Sequence, residues 1–101
     1  MLLRTLGFCF AAGGMIASAQ PLHLQLLGSH KTNLYVGSAA EIPAYDAVTK
    51  RVFVVNFAQG RVDVLDIQDP ANPTRIFSIT APSGCGTSPN SVAVKNGIVA
   101  I

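Results

Sequence analysis

Few residues of this chain have types and spacing that could do chemistry, and each has a plain structural reading beside the chemical one. Glu41 is the only glutamate, at the opening of the first regular strand and after a run of small residues. If that strand lines the axis of a ring of sheets, Glu41 could face a central channel and help hold a divalent cation such as calcium. It could equally be a strand-entry carboxylate pairing with a backbone N–H or a lysine. Asp63, Asp66 and Asp69 are spaced by three. That spacing suggests a calcium ladder, but residues three apart on a strand point to opposite faces. Nor is there the alternation of acids around a central glycine that an EF-hand loop needs. Asp66 and Asp69 read better as turn-capping acids around Pro70 and Pro73.

Ser83-Gly84-Cys85-Gly86-Thr87-Ser88 is a glycine-rich loop carrying a thiol. A nucleophilic cysteine needs a neighbouring base or cation, and His23 and His30 are distant in sequence. The loop lacks the Gly-Lys-Ser/Thr ending of a phosphate-binding loop. Its expected role is a connection between sheets, with a disulfide at Cys85 if a partner cysteine exists elsewhere. His23 and His30, seven apart and without a flanking Cys or acid cluster, fit no zinc pattern. Tyr35, Tyr45 and Phe57 do not interleave with basic residues, so no stacking platform for single strands is expected. No residue is assigned a catalytic role from sequence.

Residues 1–19 read as a secretory signal peptide. Arg4 supplies the positive charge, Leu6 to Ile16 is apolar and far shorter than the roughly 20 residues of a bilayer span, and Ala17-Ser18-Ala19 is a small-x-small cleavage site. The expected product is therefore secreted, periplasmic or held at the cell surface. The whole chain has a net charge of +2, and removal of Arg4 with the leader leaves +1. That balance offers no basic stripe for nucleic acid, and no second apolar span comes after the leader. Export implies an oxidising compartment, where the single remaining cysteine, Cys85, would be paired with a partner or left as a free thiol.

The elements that must position these residues are strands. Residues 20–40 form a lead-in, with Leu22, Leu24 and Leu26 alternating against His23 and Gln25 as in a strand, and then an irregular Gly/Ser/Asn/Ala connection. From Glu41 the pattern is regular. Ile42–Tyr45, Val52–Val55, Val62–Ile67 and Arg75–Thr80 read as four strands. They are separated by the polar turn 46–50, the tight turn Ala58-Gln59-Gly60 and the Asp69-Pro70-Ala71-Asn72-Pro73 turn. Val62 and Val64 share one face, Leu65 and Ile67 the other, and Phe77 and Ile79 share a face. Val92 and Val94 open a fifth strand, Asn96-Gly97 is a strong hairpin signal, and Ile98 begins a sixth.

The pattern is all-β. Val52-Phe53-Val54-Val55 returns as Ile98-Val99-Ala100-Ile101 at an offset of 46 residues, inside the roughly 40–50 of propeller blade repeats. Apolar residues on both faces of the second strand fit sheets packed on either side. Residues 41–101 are therefore expected to be the N-terminal part of a β-propeller: one four-stranded antiparallel blade and the start of the next, roughly one and a half blades. An immunoglobulin-like sandwich has turns at similar spacing and is the competing fold. Propellers need about four to eight blades, so the chain is expected to be a fragment whose missing C-terminal blades are its first partner.

Four blocks carry a family resemblance: Gly37–Asp46, Thr49–Asn56, Val62–Pro73 and Ser88–Gly97. In this order they resemble the opening of the choice-of-anchor I family, exported bacterial proteins built on a β-propeller and often held at the cell surface by varied C-terminal anchors. Val62–Pro73 is also similar to the LVIVD-type propeller repeat. The resemblance implies a secreted or surface-displayed binding or scaffold module, with a surface ligand of unknown identity. It also implies an alternative, a metal-dependent phosphoesterase similar to alkaline phosphatase. That reading would require Asp, His and Glu at the axial strand ends of later blades, with Glu41 as the one contribution from this segment.

Overall fold

The computed structural model describes residues 13–14, 18–35, 37–86 and 88–101. The expected leader over 1–19 falls almost wholly outside them. Among the described residues, no helix is long and apolar enough to cross a membrane.

The fold is all-β. Strands β1 (Pro43–Asp46), β2 (Arg51–Asn56), β3 (Arg61–Asp66) and β4 (Thr74–Thr80) form one antiparallel sheet in sequential order. Strands β5 (Ala93–Lys95) and β6 (Ile98–Ala100) form a separate hairpin. Each strand lies within a residue or two of its expected place. The β1–β2 ladder extends beyond the regular strand, with Glu41 N–H donating to Val55 O at 3.1 Å and Val55 N–H to Ile42 O at 3.0 Å.

Strict alternation gives the sheet two distinct faces. One carries the cross-strand rows Ala44–Phe53–Val64–Phe77 and Val55–Val62–Ile79. Here the core forms: Phe53, Val55, Val62 and Val64 pack with Val92, and Val94 and Val99 of the second sheet close over them. Val55, Val62 and Val64 are fully buried. β-Branched side chains suit this pleated, enclosed surface, because they lose little rotamer freedom on it. Towards the outer strand the cover thins. Phe77 is 45% exposed, and the Arg51 guanidinium lies over its ring, 5.9 Å from the centroid.

The turns obey residue chemistry. Asp46 closes the β1–β2 turn by accepting from the Thr49 hydroxyl at 2.6 Å and Val48 N–H at 3.1 Å. The tight turn before β3 is a single 3-10 turn, Phe57–Gln59, capped by Gly60 in the left-handed region at φ 61°. Asp66 Oδ1 accepts from Gln68 N–H at 2.8 Å, and Asp69 accepts from Ala71 N–H and the Asn72 amide at 3.1 and 2.7 Å. These two acids are thus turn-capping groups, as their spacing around the prolines predicts. Asn96 and Gly97 both have positive φ, 51° and 78°, the requirement of a two-residue type I′ hairpin turn. No atom would meet a Cβ on Gly97, so Gly97→Ala should cost only backbone strain. We expect a loss of about 1 kcal/mol, read as a lower urea midpoint with an unchanged slope.

The lead-in departs from expectation. Residues 18–35 contain no strand. Leu22, Leu24 and Leu26 alternate as predicted but stand open to solvent, Leu24 at 91% exposure. Alternation only makes a strand when a neighbouring edge takes its hydrogen bonds, and no described segment pairs with this one. Its later part does dock. Ala58 N–H donates to Ser38 O at 3.0 Å, and Gly28 sits so close to the β3–β4 turn that a Cβ there would collide with the Pro70 carbonyl oxygen.

Candidate functional site

The second face of the sheet is partly polar, and its centre is Asp63. The rows Pro43–Val54–Asp63–Ser78 and Asn56–Arg61–Thr80 run across it. Asp63 is 5% exposed. A buried carboxylate is costly unless its lone pairs are engaged, and here they are. Oδ1 accepts from Arg61 Nε at 2.8 Å and from the Ser78 hydroxyl at 2.7 Å, and Oδ2 accepts from Asn56 Nδ2 at 2.8 Å. Arg75 Nη1 stands 3.5 Å from Oδ1 and 3.3 Å from Ser78 Oγ, the former distance being an ion pair rather than a well-formed hydrogen bond.

Two local features assemble this group. Asn56 ends β2 and caps the 3-10 turn: its Oδ1 accepts Gln59 N–H at 3.2 Å while its amide nitrogen donates to Asp63. One side chain, 1% exposed, therefore fixes both the turn and the carboxylate. The second feature is a β-bulge. Val64 pairs with Phe77, but Leu65 pairs with Arg75, so Ile76 is the extra residue. Strict alternation from Ser78 would send Arg75 to the other face. The bulge returns it to the face of Ser78 and Asp63.

Burial pushes the Asp63 carboxyl upward, but hydrogen bonds from Asn56 and Ser78, together with the charge and hydrogen bond of Arg61, outweigh it. Its pKa lies below the ordinary carboxylate value, so Asp63 is ionised at neutral pH. Beside it lies a polar hollow of about 220 Å³, walled by His30, Lys31, Thr32 and Asn33 from the lead-in and by Asn56, Gln59, Arg61, Asp63 and Arg75 from the sheet. An apolar hollow of about 280 Å³ adjoins it, sharing His30, Thr32 and Asp63 and running over Val52, Val54, Leu65 and Ile67.

Comparison with family models, with curated proteins and with solved structures finds no match.

The residues singled out from sequence do not converge on this hollow, apart from Asp63 and His30. Glu41 is exposed at the start of the β1–β2 ladder. Among the described residues, no group of three His, Cys, Asp or Glu side chains lies together. Cys85 is exposed and makes no disulfide among the described residues. It sits in a turn where its N–H donates to Pro82 O at 3.1 Å. Asp63 and Asp66 fall on opposite faces, as strand geometry requires. Alternation missed the gathering of Asn56, Arg61, Arg75 and Ser78 around Asp63. The available signal was an Asn and an Asp at the diagonal of a short hairpin, Asn56 facing Arg61 and Asp63 two residues further along.

Proposed function

We propose that this chain opens an exported β-propeller that acts as a binding or scaffold module, in the manner of the choice-of-anchor I proteins it resembles. In this reading β1–β4 are the first blade and β5–β6 the inner strands of the second. One observation carries it: a four-stranded meander with apolar side chains on both faces, one of them already covered by the next sheet. The innermost strands β1 and β5 lie against each other, as inner strands of neighbouring blades do around an axis. The apolar part of the opposite face, Val52, Val54, Leu65 and Ile67, is the surface a further blade would cover.

Measuring the native exported product tests this, by intact mass or by immunoblot against a peptide of residues 20–101. A product several times larger than this segment is the expected result. A product of this length is expected to associate with copies of itself, because its open faces cannot be buried otherwise. A monomer of this length with one sharp, cooperative thermal transition would overturn the propeller reading.

A further inference from the structure

We infer that the polar hollow beside Asp63 is a binding site for a small tetrahedral oxyanion of the sulfate or phosphate type. This names a ligand class for the binding-module reading but rests on the geometry of the hollow alone.

Charge is the first observation. Lys31, Arg61 and Arg75 wall the hollow, and Asp63 is the only carboxylate among its lining residues. Three cations against one anion leave a surplus of two positive charges, which matches a dianion. Donor geometry is the second. Arg61 gives Nε–H to Asp63, which orients the planar guanidinium and leaves its two Nη groups for another acceptor. Arg75 is held more loosely, its Nη1 standing 3.5 Å from Asp63 Oδ1 and 3.3 Å from Ser78 Oγ, which leaves Nε and Nη2. A guanidinium oriented by a buried carboxylate, as that of Arg61 is, presents its remaining N–H groups with less entropy left to lose, the arrangement that suits bidentate oxyanion recognition.

The third observation is the wall itself. Asp63 and Asn56 are buried and hydrogen-bonded to each other and to the turn, which holds the floor of the hollow in place. Thr32 and Gln59, also among the lining residues, carry uncharged donor groups. About 220 Å³ accommodates a five-atom anion with some of its water. A cation is disfavoured, because Lys31, Arg61 and Arg75 outnumber the one carboxylate among the lining residues.

Equilibrium dialysis of the exported product against radiolabelled sulfate, and separately phosphate, tests this at constant ionic strength with chloride as the balancing ion. It reads binding whether the product is a monomer or an assembly. Saturable uptake of one anion per chain is expected. Arg75→Ala should weaken it by roughly tenfold through loss of a charge-assisted hydrogen bond. Lys31→Ala, which touches no part of the Asp63 network, should weaken it by about threefold. Neither side chain is buried, so both variants should fold. Uptake no greater than that of chloride, or uptake unchanged in both variants, would overturn the site. Product mass is independent of this outcome, so the anion site and the propeller reading can fail separately.

Discussion

Replacing Asp63 by alanine is expected to destabilise the fold by about 3 kcal/mol, the lower end of what removal of one partner from a buried ion pair costs. The side chain is 7% exposed, and its loss would strand Asn56 Nδ2, Arg61 Nε and Ser78 Oγ without their shared acceptor. Arg61 is partly exposed and can recover water, which keeps the loss near the lower figure. Asp63→Asn retains the shape and one acceptor oxygen, so it should cost less than the alanine. The two variants also separate charge from packing through pH. The Asp63 carboxyl titrates below its ordinary value in the folded state. Its contribution is therefore fully present above the unfolded pKa of about 3.9 and is lost as pH falls through the lower folded value. Wild-type urea midpoints should decline below about pH 4, and Asp63→Asn should lack that part of the decline. Equal acid sensitivity in both proteins would show that other carboxylates carry it.

Phe53→Ala should be at least as damaging, at about 3–5 kcal/mol. Phe53 stands mid-row between Ala44 and Val64 on the face where the two sheets meet, and is almost completely buried. Truncation removes a large apolar surface and leaves a cavity beside Val92 whose other walls, Val55, Val62 and Val64, are held in the β2–β3 and β3–β4 ladders and cannot close in. The control is Val54→Ala, one residue away on the opposite, half-open face. It should cost well under half as much, since the site is only partly buried. Urea denaturation of both variants checks the contrast, and similar losses would mean that the two faces are equally enclosed in the native product.

The strands were legible because their signal is local. β-Branched runs, two prolines in one turn and an Asn-Gly pair each mark a position without reference to the rest of the chain, and β2, β3, β4 and the β5–β6 turn lie where these marks put them. Asp66 and Asp69 were legible for the same reason, since an acid before a proline-bounded turn caps the N–H groups just beyond it. The Asp63 group was not. Asp63 occupies the polar position of an alternating strand, which ordinarily means solvent. Its burial depends on Ser78, fifteen residues away, on the lead-in crossing above it, and on a bulge at Ile76 that no residue type announces. The lead-in failed in the opposite direction. Leu22, Leu24 and Leu26 have the right period, but period describes only which side chains would share a face. Whether an edge is present to receive them is a property of the whole chain.

The rows across the sheet also bear on how the chain finds its pairing. Sliding β3 by one residue against β2 would turn Asp63 and Arg61 in among Phe53 and Val55 and send Val62 and Val64 out beside Val54 and Asn56. A Val-rich strand beside a Val-rich strand, as β3 is beside β2, has little else to tell one alignment from the next, because valine fits valine at every step. The buried carboxylate supplies the difference. In the native alignment it meets an amide, a hydroxyl and a guanidinium. In the neighbouring one it keeps only Arg61 of its own strand, loses the amide and the hydroxyl, and otherwise meets hydrocarbon. Asp63 thus acts as a key cut for one lock position, rejecting misaligned sheets during folding whatever it adds to the stability of the finished one.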